Sequence, residues 1–429
     1  MEHRRHSARF AFAVAALALC TCSRSAESGA KILRWWHVNS DEPAQKVLNE
    51  IAEEFEASHP GVDVRVTALE NMEYKPKLSL EFSSGSPPEL FHSWGGGGMA
   101  EQVEAGYLRD ISAWINSPTW KGRASRIALD LYSYKGKNYG FPQDLGAVGF
   151  WYNEDLLAKV GYKAFPERWE GLIELCAALK KAGITPIALG FADRWPVMFY
   201  WVYLSLRLGG PGLFDDILAG RRGFDDPAVL RGGAMMRELY LKGFFPDTAI
   251  GDDFPSQSRL MGDGKAAMQL MGQWALAVQA QSSDGGAALS GLMRFAPFPA
   301  VQGGKGSTGD AMGGGNGFVV GAGAPDEAIE LLEYFARPEN LARYFAAFPA
   351  VPTVDGVPIE APGLRYVKDY LGSASSFCLY PDQLFPLEIG TLLNETSARV
   401  MLGEISPEEG CSLLQASWAA HRAGASPSP

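Results

Sequence analysis

The run KILRWWH at residues 31–37, an amphipathic stretch after it and VDVRV at 62–66 constrain this chain more than any other feature. The first run reads as a strand. Ser40 offers an N-cap, Asp41 and Glu42 suit the positive end of a helix, and Pro43 suits its first turn. Ala44, Val47, Leu48, Ile51 and Phe55 follow at helical spacing. His59-Pro60-Gly61 stops the helix, and Val62, Val64 and Val66 alternate as a second strand. Strand, covering helix and strand make a β-α-β unit, so the expected fold class is α/β, with mostly parallel sheets flanked by helices.

The pattern recurs. Residues 167–181 carry Trp169, Leu172, Ile173, Cys176 and Leu179 on one helical face and meet Gly183, after which ITPIAL reads as a strand. Residues 325–335 give another helix with Ala328, Leu331, Leu332 and Phe335. Glycine- and proline-rich joints fall at Phe141-Pro142, at 297–309 and at 348–352. A chain of 429 residues is long for one core. Three joints are more than two domains in series need, and they suit two lobes between which the chain crosses several times. No internal repeat is visible, and the tail ASPSP reads as a frayed end.

The N-terminus reads as a targeting segment. MEHRRHSARF is basic and FAFAVAALAL is apolar but too short to span a bilayer. Cleavage before Cys22, with lipid on that cysteine, would leave the polar tether SRSAESGA at 23–30. Thr21 departs from the small residue usual in that place, and Ser28-Gly29-Ala30 offers an ordinary cleavage site instead. The expectation is an exported, periplasmic or cell-surface protein, lipid-anchored through Cys22. Loss of residues 1–21 removes three arginines and one glutamate, taking the net charge from −11 to −13. Such acidity disfavours nucleic acid and anionic lipid surfaces as partners. Only Cys176, Cys378 and Cys411 remain, so the fold does not depend on a disulfide framework.

Catalytic signatures are absent from the mature sequence: there is no H-E-x-x-H, G-x-S-x-G or C-x-x-C. His37, His59, His92 and His421 have no metal-ligand spacing, so no metal and no cofactor is expected. Gly304 to Gly309 matches G-x-G-x-x-G, but prolines precede it and glycines follow, where a dinucleotide site needs a strand and a helix. Carboxylates are numerous enough to keep a glycosidase pair open on counting alone.

The tryptophans are more informative. Trp36, Trp94, Trp195 and Trp274 each fall at or just past the end of a strand-like run, where α/β sheets collect ligands. Indole covers the apolar face of a pyranose, and Asp, Glu, Asn, Gln, Arg and His answer its hydroxyls. The four glycines after Trp94, in ELFHSWGGGG, are expected to leave its face uncovered, and GGGNG at 313–317 to do the same around Asn316. Packing alone accounts equally well for any one of these residues. Trp114, Trp120, Trp151, Trp169 and Trp418 lack this placement and read as structural.

Several segments, in order, resemble the bacterial extracellular solute-binding proteins of the sugar-binding type, the maltose-binding class of ABC importer components. They are WWH with its helix, IAEEFEASHPGVDVRV, ELFHSWGGG, YGFPQDLGAVGFWYNEDLLAKVGY, RWEGLIELCAALKKAGITPIAL, GDGKAAMQLMGQWA, GGGNGFVVGAGAPDEAIELLEYF and AVPTV, spread over about residues 31–353. The resemblance implies a two-lobe fold of the type II binding-protein kind with a multi-crossing hinge. One lobe would comprise 31–142 plus 301–345, the other 143–300 plus 346–429. It implies an oligosaccharide held in the cleft, delivery to ABC permease subunits in the membrane, no enzymatic activity and a monomer. By the same resemblance Trp274 and Trp94 would stack on sugar, and Gln143 and Asp144 would line the hinge. Trp36, His37, Glu42, Arg194, Trp195, Asn316 and an exposed Tyr380-Pro-Asp382 turn are further candidates from the residues themselves. Another solute (peptide, polyamine or osmolyte), a secreted glycosidase and a lectin are the competing readings.

Overall fold

The computed structural model describes residues 30–286, 291–359 and 361–424. Cys22, the targeting segment, the tether and the ASPSP tail lie outside the described residues. The strands are β1 (Lys31–His37), β2 (Val62–Ala68), β3 (Leu90–Ser93), β4 (Ser133–Tyr134), β5 (Lys137–Asn138), β6 (Gly140–Pro142), β7 (Gly146–Ala147), β8 (Gly149–Asn153), β9 (Thr185–Ile187), β10 (Ala266–Met271), β11 (Met293–Ala296), β12 (Asp310–Gly314), β13 (Gly317–Val320) and β14 (Ser376–Leu379). One mixed sheet runs β2-β1-β3-β13-β6 and another β11-β8-β10-β9. A three-stranded sheet runs β14-β12-β7, and β4 and β5 form a small hairpin.

The opening β-α-β unit forms as its pattern predicts. β1 pairs parallel with β2 along its whole length, and also with β3. The helix between β1 and β2, Glu42–Ser58, is capped by Asp41, whose carboxylate accepts from the Ala44 N–H, rather than by Ser40. Alternation along β1 sends Leu33 and Trp35 into a core with Leu48, Phe55, Phe318 and Phe335. Trp36 goes to the opposite face, against a second cluster with Tyr74, Phe91, Met99 and Tyr132. The larger core lies around the other sheets and encloses helix Trp195–Gly209 on nearly all sides. The fold is α/β with two lobes, and antiparallel strands enter both main sheets where the chain returns.

The passages between sheets are short. β6 belongs to the first sheet and β7, four residues on, to the third; β12 belongs to the third and β13 to the first. A third run lies alongside: Leu145 N donates to Val351 O, and the Thr353 hydroxyl donates to Pro142 O. The passage expected within 297–309 therefore lies at Gly313–Gly317. Residues 297–309 instead wrap helix Trp195–Gly209, where the buried Arg207 guanidinium donates to Phe298 O and Asp310 O. The glycines of GGGNG let passing strands touch: a Cβ on Gly313 would lie 2.0 Å from Gly146 O, and one on Gly315 2.0 Å from Asp144 O.

Candidate functional site

Three aromatic rings meet, two just past strand ends and one at a helix start. Trp274 lies just past β10, Tyr380 just past β14, and Trp195 opens a helix downstream of β9. Their ring centroids are 6.2 Å (Trp195 to Trp274) and 6.1 Å (Trp274 to Tyr380) apart. Phe199 and Phe254 back Trp195 at 5.6 and 5.0 Å. Gly272 makes room for the Trp274 ring, because a Cβ there would lie 2.3 Å from it. Trp195 and Trp274 are half-buried. Tyr380 is buried, and its hydroxyl has no hydrogen-bond partner among the described residues. The Tyr380-Pro-Asp382 turn expected at the surface is thus internal. Pro381 starts a short helix, and the Asp382 carboxylate accepts from Gln383 and Asn394 side chains.

Arg194 brings Trp195 to this cluster through a strained backbone. Its φ of 63° and ψ of −50° belong to the rarer γ-turn, closed by Trp195 N donating to Asp193 O at 2.6 Å. Strain of this kind persists only where surrounding structure enforces it, and it gathers at functional positions. Asp193 beside it is held above the usual carboxylate range, first by burial and then by the charges of Asp253 and Glu70. Glu70 precedes the helix Asn71–Ser84 that packs on the first sheet, so the charge of the other half of the molecule is felt at Asp193.

Gln143, Asp144 and Asn316 come together as a knot where the chain passes between sheets. Asp144 Oδ1 accepts from Gln273 Nε2 at 3.0 Å and from Asn316 N at 3.1 Å, and Oδ2 accepts from Asn316 Nδ2 at 3.0 Å. Burial pushes the Asp144 carboxyl up to about 6 despite these bonds. Gln143 Nε2 donates to the Tyr344 hydroxyl at 3.3 Å, while the side-chain oxygens of Gln143 and Gln273 have no partner among the described residues. Sequence reasoning missed Gln273, although it directly precedes Trp274 in MGQWA.

A third group gathers at the ends of β1 and β3. His37 and His92 are buried, and burial pulls their pKa values down to about 4 and about 3. Trp94 is half-buried, with the His92 ring 4.5 Å away, the Tyr74 ring 5.8 Å away and Lys75 Nζ 5.0 Å from its ring centroid. Lys75 lies on a helix face that gave no sequence signal. Glu42 is exposed in the first turn of its helix and joins none of these groups.

The glycines after Trp94 do something other than uncover it. Gly95 has φ of 71°, Gly96 has φ of 66°, and a helix begins at once, Gly96–Glu104. A Cβ on Gly96 would lie 2.4 Å from Gln383 O, and one on Gly97 2.5 Å from Leu384 O. The run therefore lets this helix lie directly on the backbone of the segment after Tyr380. Glu101 of the same helix accepts from the Leu387 N–H at 2.9 Å, capping helix Leu387–Leu402 from outside.

Among the described residues no cluster of acidic, His or Cys side chains is placed to hold a metal ion, and no helix is long and apolar enough to cross a membrane. Cys176, Cys378 and Cys411 are buried free thiols, each pushed up by burial.

Residues 39–342 match the model of the bacterial extracellular solute-binding protein family. The chain belongs to this family. A probable sugar-binding periplasmic protein of Rhizobium meliloti is 24% identical to this solute-binding protein over 420 residues, 94% of this chain and 97% of the relative. An uncharacterized ABC transporter extracellular-binding protein of Pyrococcus horikoshii is 24% identical over 57% of this chain, and that match spans only 55% of the relative. A solved structure from work on xylan utilization by Caldanaerobius polysaccharolyticus superposes with a TM-score of 0.83 at 26% identity, covering 90% of this chain and 99% of that one. In this two-lobe fold the short passages between sheets are where the chain crosses from one lobe to the other.

Proposed function

We propose that this solute-binding protein captures an oligosaccharide between its lobes and hands it to an ABC-type importer. The observation that carries the reading is the meeting of Trp195, Trp274 and Tyr380, with the two indoles only half-buried and the tyrosine hydroxyl unpartnered. Half-open indoles suit pyranose faces, and Asp193 and Arg194, directly before Trp195 in the chain, are the polar residues proposed to meet ring hydroxyls. The R. meliloti relative and the xylan-utilization structure point the same way. The lobes would comprise about residues 31–142 plus 317–350, and 146–312 plus 355–424, following the two cores. Closure over the sugar is an equilibrium that ligand shifts only through contacts made in the closed state. Export, anchoring through Cys22, action as a monomer and docking on permease subunits complete the proposal.

The carboxylates of Asp193, Asp253 and Glu70, near enough to raise the Asp193 pKa, favour a second reading in which the solute is a cation such as a polyamine. Titration calorimetry of the purified protein against xylo-, chito- and malto-oligosaccharides and against spermidine separates the two. An oligosaccharide should bind, and Trp274→Ala should weaken it at least tenfold, since an aromatic contact is worth about 0.5–1.5 kcal/mol beyond the apolar area it covers. Wild-type affinity in both Trp274→Ala and Trp195→Ala, or binding of spermidine alone, would overturn the sugar reading.

A further inference from the structure

A pocket of about 210 Å³, lined by none of Trp195, Trp274 and Tyr380, lies between helices Asn71–Ser84 and Gly96–Glu104, beneath the end of β3. Asp382 and Gln383, from the segment that lies on the glycine run, complete its wall. Tyr74 and Trp94 supply aromatic surface; Lys75, Gln102, Asp382 and Gln383 supply polar groups. Two buried atoms on its lining residues, His92 Nε2 and Gln102 Oε1, have no hydrogen-bond partner among the described residues, and His92 is only 2% exposed. Such groups are costly unless something answers them.

We infer that this cavity takes one neutral pyranose ring, the end or a branch of the oligosaccharide, an inference that rests on the sugar reading above. Size agrees: a cavity of about 150 Å³ holds a benzene ring, and this pocket is larger. Chemistry narrows the class. The ammonium of Lys75 and the carboxylate of Asp382 share the wall, so an anion would face Asp382 and a cation would face Lys75. A hydroxyl both donates and accepts, and satisfies both without a net charge. A mostly apolar lining with a few convergent polar groups is what a small-molecule site requires. Because Lys75 and Asp382 come from different halves of the molecule, the ring would also tie the lobes together. Lys75 Nζ already reaches Gln383 Oε1 at 3.5 Å across that seam.

Gly98 gives the test. It lines the cavity, a Cβ there meets nothing within 4 Å, and leucine is favoured over glycine in a helix by about 1 kcal/mol. Gly98→Leu therefore sets a bulky side chain at the pocket wall with nothing for its Cβ to clash against. Wild type, Gly98→Leu and Trp274→Ala are titrated by calorimetry with xylo- and chito-oligosaccharides of increasing length and with a branched xylo-oligosaccharide. Wild-type affinity should rise tenfold or more at one added ring. Gly98→Leu should lose that step and bind the shorter ligands unchanged, while Trp274→Ala weakens all of them. No step in the wild type, or a Gly98→Leu variant that keeps the step or weakens every ligand alike, overturns the assignment. Failure of the wild type to bind any oligosaccharide would instead remove the sugar reading, and this inference with it.

Discussion

Asp144 ties the passages between lobes together at an electrostatic cost that can be measured. Its carboxyl is pushed from an ordinary 3.8 up to about 6. At about 1.36 kcal/mol per pKa unit, that difference amounts to roughly 3 kcal/mol. The direction follows from proton counting. Between about pH 4 and pH 6 the native state holds a proton that the unfolded chain has released, so stability falls as pH rises, and the whole penalty is present above 6. By linkage about 1.4 kcal/mol of it is added between pH 5 and pH 7.5. His37 and His92 oppose this trend. Their depressed pKa values cost stability as pH falls below about 6.5, so the wild-type profile alone does not isolate Asp144. Asp144→Asn does isolate it. Asparagine keeps one acceptor for Gln273 or Asn316, but its NH₂ meets the Asn316 amide donor, a loss of about 1 kcal/mol per hydrogen bond. Urea unfolding at half-unit pH steps should give a wild-type minus variant difference that falls by about 1.4 kcal/mol from pH 5 to pH 7.5. Parallel profiles over that window would refute the account of Asp144 as a buried carboxylate held against its own ionisation.

Two further substitutions probe the backbone. Gly97→Ala should cost about 1–3 kcal/mol in the same urea assay, because its Cβ meets Leu384 O and Phe385 C within 2.6 Å, whereas Gly98→Ala should be neutral or slightly stabilising. Equal effects at the two positions would mean that the glycine run does not serve backbone contact. Arg194→Gly should raise the unliganded melting temperature by releasing about 1 kcal/mol of γ-turn strain, and a lowered melting temperature would show that the arginine side chain holds the turn.

What could be read from the sequence was what neighbouring residues decide among themselves. The β1–helix–β2 unit was legible because apolar spacing alone separates a period of two from one of 3.6. Even there the cap moved from Ser40 to Asp41, since only a carboxylate one residue later reaches the Ala44 N–H. Trp195 and Trp274 stood out because a tryptophan just past a strand is a local pattern. Their companion Tyr380 was found, but its burial was not, because Gly314, which makes room for its ring, comes from another strand. Glycine was the least legible residue. At Gly96 and Gly97, and at Gly313 and Gly315, it serves other backbones, Gln383 to Phe385 and Asp144 to Gly146, that lie far off in sequence. From sequence alone, space for a ligand and space for a carbonyl read alike. The proline-rich 297–309 segment misled for a related reason: proline and glycine mark a loop wrapped on Arg207 as readily as a passage between lobes. Lys75 gave no signal at all, because a lysine on a helix reads as a solvated face until the opposite wall is known. The residues hardest to foresee are thus those at the seam, where each contact pairs one half of the molecule with the other.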